Sequence, residues 1–244
     1  MVYSEEEIYM QKKFLLPALP MIILCCLLLL PQAASAELTA GVNLGYGRTN
    51  YPQLLGEKNI SNSEWSSGLW ARYHHDDLLF TGLYQTSLGL QGFSGSRHLG
   101  HVGVSYRFLE EDVLTVYGGL GYQLVSNRFE LPAVDNDRHR LTGHGFAGQV
   151  VVDIALTEEF RTTAMIMANP WTKWGHTSGG TTDSNIDSGN AFIYKLELVY
   201  DFSEEFGAQF SVLGNTYSVP AFAPYDGQTK SSSTSINLGV TRRF

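Results

Sequence analysis

The chain has 244 residues, a formal charge of −8 and only 16% charged residues, with 25 glycines, 13 tyrosines and 13 phenylalanines. The acidic balance excludes charge-driven binding of nucleic acid. Its two cysteines, Cys25 and Cys26, both lie in one apolar stretch near the start. The remainder therefore has no disulfide and no cysteine metal site.

Residues 1–36 read as a secretory signal peptide. Lys12 and Lys13 give a basic start, residues 14–30 an apolar run, and Ala34-Ser35-Ala36 a small-residue cleavage site. Glu5, Glu6 and Glu7 do not suit a basic start, so Met10 is read as the true first residue. Leu24 before Cys25 does not suit a lipid-modified cysteine. Without the signal's three acids and two bases, residues 37–244 carry −7 and have the length of one domain. No later apolar run is long enough for a membrane helix.

From residue 37 onward, strand-like alternation recurs between polar turns. Ten strands are predicted: 37–51, 64–74, 78–90, 97–108, 113–129, 141–156, 160–171, 191–202, 206–219 and 234–244. The weakest hairpin is at 91–96, and losing it would leave eight. The plainest strand is 191–202. Phe192, Tyr194, Leu196, Leu198, Tyr200 and Phe202 share one face, while Lys195, Glu197 and Asp201 share the other. A membrane-crossing strand needs about 9–11 residues with aromatics at both interfaces. The connectors also alternate. Short acidic turns (75–77, 109–112, 157–159, 203–205) are separated by longer polar stretches (52–63, 91–96, 130–140, 172–190, 220–233). Short turns at one end and long loops at the other mark a transmembrane up-and-down antiparallel β-barrel.

The signal peptide, the strand ends Tyr106-Arg107-Phe108 and Tyr200-Asp201-Phe202, and the terminal Phe244 resemble the small outer-membrane β-barrel proteins of diderm bacteria, the OmpA-like and porin-like class. The resemblance is architectural and covers residues 37–244. It implies the outer membrane as address, and the lipid bilayer and lipopolysaccharide as surroundings. It also implies a barrel-assembly machinery that reads Phe244 and favours an aromatic two residues earlier, where this chain has Arg242. Among such barrels, lipid A deacylases carry a His-x-Ser, matched here only at His176 and Ser178. Omptin proteases use Asp pairs and an Asp–His pair at the rim, matched loosely by Asp135, Asp137 and His139.

The inward face should hold Arg72, His74, His101, Arg107, Asp153, Arg161, Lys195, Glu197, Asp201 and Arg243, with Gln123, Gln149 and Gln209. A ten-stranded bore is only slightly wider than the eight-stranded ones that side chains fill. These groups are therefore expected to pair into a polar plug, the alternative being a narrow path for ions or small solutes. Asp183-x-Asn185-x-Asp187 alternates oxygen ligands, but Ser188 stands where a calcium loop wants glycine. His74-His75-Asp76-Asp77 reads as a polar turn. Trp65, Trp171, Trp174, Tyr51 and Tyr217 are expected in an aromatic belt at the long-loop side, with a sugar-stacking site at Trp171 and Trp174 as the other reading. Tyr73, Phe80, Phe108, Phe160, Phe202, Phe206 and Phe244 are expected in the opposite belt. No cofactor and no metal site are expected. The expected role is structural or surface-interacting rather than enzymatic, with the external ligand unspecified.

Overall fold

The computed structural model describes residues 37–90, 95–130, 138–179 and 181–244. The predicted signal peptide lies outside them. Ten antiparallel strands follow in order: β1 (Glu37–Leu54), β2 (Glu57–His75), β3 (Leu78–Gly89), β4 (Gly95–Glu111), β5 (Leu114–Glu130), β6 (Arg138–Ala155), β7 (Phe160–Ser178), β8 (Thr181–Asp201), β9 (Phe206–Val219) and β10 (Thr229–Arg243). Each pairs with its chain neighbours, and β1 pairs with β10, so the sheet closes on itself. Closure matters because an open edge would leave backbone donors and acceptors unpaired. The closing seam matches Val42 with Val240 and Leu44 with Leu238. It is extended by the Phe244 amide donating to the Leu38 carbonyl at 2.8 Å.

The eight-strand alternative is overturned. β3 and β4 pair continuously from Leu78↔Tyr106 to Leu88↔Ser96. The strand bounds are also corrected. β2 begins at Glu57 rather than 64. The expected loop at 172–190 is instead the far end of the β7–β8 hairpin, with Ser178 opposite Thr181. The strands of 17 to 21 residues therefore rise well past one membrane crossing.

Two alternation patterns meet along β5 and β6. Toward the short-turn end, large apolar groups face outward: Leu44, Leu120, Ile166, Leu196 and Leu238 are all exposed. Toward the long-loop end the pattern inverts. On β5 the outward series passes from Leu120, Tyr122 and Leu124 to Ser126 and Arg128, while Val125 and Phe129 face inward, buried. On β6, His144, Thr142 and Arg140 continue outward above Phe146, with Leu141 and His139 inward. The lower barrel is thus apolar outside and polar within. The upper barrel is polar outside, and its interior mixes apolar and aromatic groups such as Val125, Phe129 and Leu141 with buried polar ones such as Glu64, Arg97 and Asn127.

The outward band is bounded by aromatics. Tyr73, Phe80, Phe108, Phe160, Tyr200 and Phe202 are exposed at the short-turn end, and Tyr46, Trp65, Tyr84, Tyr122 and Trp171 at the other. Part of the expected upper belt is corrected. Trp174, Tyr51 and Tyr217 are buried inside the bore. Trp171 and Trp174 therefore sit on opposite sides of the wall, and no shared stacking face exists between them. The physical reason at Trp174 is a bulge. The β6–β7 register shifts between the pairs Gly148↔Ala168 and His144↔Lys173, which places one extra residue on β7. Pro170 and Trp171 are both exposed there, and alternation resumes with the opposite parity.

Candidate functional site: the lumen

At the short-turn end the lumen opens into a vestibule of about 520 Å³, lined by Glu37, Arg72, His74, Tyr117, Asp153, Arg161 and Arg243 among others. Arg161 of β7 holds Asp201 of β8 through two hydrogen bonds, at 2.9 and 3.1 Å. Arg243 bridges Asp201 at 3.1 Å and Glu37 at 3.2 Å. The Tyr117 hydroxyl meets His74 Nδ1 at 3.3 Å. Arg107 also lines the vestibule. It lies at the vestibule rim, where Nε donates to Asp77 at 3.1 Å and Nη1 to Glu110 at 2.8 Å. The acidic turns reach it before any lumen group does, so it braces turns instead of joining the plug.

Deeper in, Arg72 of β2 spans the bore. One nitrogen donates to Asp153 of β6 at 2.9 Å and also to the Thr163 hydroxyl, and the other donates to Glu197 of β8 at 2.9 Å. Lys195 donates to the second Glu197 oxygen. The Glu197 side chain is 1% exposed, so its charge is viable only because two cations engage both its oxygens. Trp70 lies against both cations, with its ring centroid 4.8 Å from the Arg72 guanidinium carbon and 4.2 Å from Lys195 Nζ. Its indole N–H donates to Gln209 at 2.8 Å. Strands β2, β6, β7, β8 and β9 thus meet across the bore at one level.

A neutral layer follows. His101 bonds Gln149, which also accepts from Thr81 at 3.0 Å and donates to Ser105 at 2.8 Å. The fit is close: a Cβ added at Gly121 would lie 2.3 Å from His101 Cε1. Across the bore Gln85 donates to Ser235 at 3.0 Å and Ser66 to Asn237 at 2.9 Å. Val151, Met165, Met167, Leu79 and Leu83 also point inward and are buried. Sequence reasoning did not assign these apolar lumen residues. The run Ala164-Met-Ile-Met-Ala168, apolar on both faces, carried the signal.

Above this, Arg97 pairs with Glu64 at 3.0 Å and Asn127 donates to the Tyr217 hydroxyl at 2.5 Å. The upper end closes on aromatics. His139 and His176 stack with centroids 5.4 Å apart, flanked by Phe129, Phe222 and Tyr225. Phe222 and Tyr225, from the β9–β10 connection, bridge to each other and fold in over the histidines.

His176 and Ser178 both lie on the inward face of β7. His176 Nε2 lies 3.2 Å from His139 Nδ1, and no hydrogen bond joins it to Ser178 among the described residues. Asp135 and Asp137 lie outside the described residues. Asp183 and Asp187 fall within strand β8 rather than in a loop. His75, Asp76 and Asp77 form the β2–β3 turn, with Asp76 at φ 51°.

No family model and no curated protein matches the chain. Among solved structures it resembles the outer membrane protease OmpT from Escherichia coli at 10% identity and TM-score 0.54, covering 87% of this chain and 99% of that one. Neisserial surface protein A (NspA) aligns at 13% identity and TM-score 0.40, covering 88% and 100%. Ail, the attachment invasion locus protein of Yersinia pestis, aligns at 12% identity and TM-score 0.40, covering 86% and 100%. These likenesses concern the fold. The chain has the architecture of a small outer-membrane β-barrel.

Proposed function

We propose that this protein is a non-enzymatic barrel of the bacterial outer membrane, with a closed lumen and a structural or surface-interaction role. Its acidic turns face the periplasm and its long hairpins face outside. The observation that carries the reading is the bore itself. The Arg72–Glu197–Lys195 group with Trp70 crosses it at one level, and the stacked His139–His176 pair under Phe222 and Tyr225 fills it at another. The signal-like first 36 residues and the outward apolar band support the address. The surroundings are the lipid bilayer and lipopolysaccharide, and Phe244 would be the residue read by the assembly machinery. Beside it, the Arg242 guanidinium packs over the Phe244 ring at 4.7 Å and donates to Glu205 at 3.3 Å. That arrangement keeps the outward arginine at the membrane rim.

Planar-bilayer recording tests the closed bore. The expected trace shows no discrete steps, and reproducible unitary conductance would replace this reading with the narrow-channel one. The enzymatic alternative is tested by expressing His176→Ala and Ser178→Ala variants and profiling lipid A acylation. The profile should not change between wild type and variants. A difference in acyl chain number would make the protein a lipid-modifying enzyme.

A further inference from the structure

Just above the outer aromatic belt, the outward face of β4 to β7 gathers basic groups. The register fixes their places. Arg128 of β5 is directly opposite Arg140 of β6, two register pairs above Ser126↔Thr142 and on the same face, and His98 of β4 is opposite Ser126. Two register pairs below Ser126↔Thr142, Leu124 is opposite His144, which in turn is opposite Lys173 of β7. Arg128 and Arg140 are exposed. Arg140 donates to the Ser126 hydroxyl at 3.1 Å, and neither arginine joins an ion pair among the described residues. The nearby Glu130 is engaged by Arg138 at 2.8 Å.

Like charges directly opposite on neighbouring strands are destabilising. Here two guanidiniums are placed so in a chain whose net charge is negative. The flanking histidines are prepared in the same sense. The Tyr84 hydroxyl meets His98 Nδ1 at 2.8 Å, and the Tyr122 hydroxyl meets His144 Nδ1 at 2.6 Å. With each phenol donating to Nδ1, the neutral ring carries its own proton on Nε2. Each pair then offers an N–H donor on the same side of the wall as the arginines. Tyr84 and Tyr122 belong to the belt that marks the interface, so the donors sit at headgroup depth.

We infer that this patch binds the phosphate groups of a phosphorylated glycolipid of the outer leaflet, lipid A. Arg128 and Arg140 form the charged centre, and the His98 and His144 rings add N–H donors below it, toward the aromatic belt. Guanidinium–phosphate pairs are charge-assisted and often bidentate, which favours a fixed phosphate over a diffuse anionic surface. The inference rests on the proposed orientation, with the long hairpins outside.

The folded protein in phosphatidylcholine nanodiscs is titrated with bisphosphorylated lipid A and read by native mass spectrometry. Parallel arms use dephosphorylated lipid A, phosphatidylglycerol and inorganic phosphate. Wild type should retain bisphosphorylated lipid A in preference to all three. The Arg128→Ala/Arg140→Ala variant should bind about ten-fold more weakly. The Arg128→Lys/Arg140→Lys variant should recover part of the loss, and Arg48→Ala/Lys230→Ala, on the opposite wall, should bind as wild type. Equal binding by the double-alanine variant, or by dephosphorylated lipid A or phosphatidylglycerol, overturns the site. Orientation is read separately. With no cysteine beyond residue 36, an Asp226→Cys variant should label with an impermeant maleimide on intact cells. Failure to label overturns the orientation and the assignment together. Labelling without lipid A selectivity overturns the assignment alone.

Discussion

Replacing Glu197 with alanine should cost about 3–5 kcal/mol of folding stability, the cost of leaving buried charge uncompensated. Arg72 would keep Asp153 at 2.9 Å, but Lys195, its side chain 7% exposed, would lose the carboxylate that neutralises it. Trp70 would lose one of its two ordered cations as well. Urea unfolding in lipid vesicles, followed by tryptophan emission, measures the loss. Glu197→Gln should be intermediate, because it keeps the shape and one accepting oxygen, while its amide nitrogen donates and cannot accept from the second cation. The control is Glu205, whose half-exposed carboxylate meets Arg242 at the rim. Exposed ion pairs contribute about 0–1 kcal/mol, so Glu205→Ala should shift the midpoint little. Equal effects at the two positions would show that the central ion group is not what holds the bore closed.

Leu196→Arg is the second large effect, and it acts from the other side of the same strand. Leu196 lies outward on β8, 52% exposed, between the aromatic levels of Tyr194 and Tyr200. A cation at that depth of a bilayer costs about 2–4 kcal/mol, falling to about 0–1 near the interface. The same substitution at Thr216, outward on β9 above the apolar band and opposite Phe192, should cost much less. Reversible unfolding in thin-chain vesicles gives both numbers. A difference of less than about 1 kcal/mol between the sites would contradict the assignment of the apolar band to lipid.

The strand count and closure were legible because lipid imposes one rule on every crossing: apolar outward, backbone paired. Residues 191–202 show that rule without interruption. The rule stops applying where the wall leaves the bilayer. Above the belt the outward positions become polar and the inward ones mix apolar, aromatic and polar groups, so Trp174, His176 and Ile186 read as a polar loop with stray hydrophobes. On β5 and β6 the alternation there is real but inverted. Tyr51 and Tyr217 were misplaced for a simpler reason. Each is an odd number of residues from an outward partner, Tyr46 and Phe210, so face parity alone puts them inside. Trp174 could not be placed by parity, because the extra residue at Pro170–Trp171 changes it. The ion group was legible in membership but not in connection. Alternation put Arg72, Asp153, Lys195 and Glu197 in the bore. Only the stagger between strands brings β2 level with β6 and β8. The Arg128–Arg140 pair had no sequence signal, since 12 residues separate its members and the hairpin register alone sets them opposite.

The closing of β1 on β10 has a consequence for the order of assembly. Nine of the ten seams join strands adjacent in the chain and can zip outward from their own turns. The tenth joins Thr39 to Arg243 and gains nothing from proximity along the polymer. Ring-closure entropy grows only as the logarithm of loop length, so this seam is slow to find its register more than it is weak once formed. A hydrogen-exchange map should therefore single out, within residues 39–50 and 232–243, the amides directed across this seam as the last to gain protection during refolding, behind the alternate amides of the same strands that bond β2 and β9.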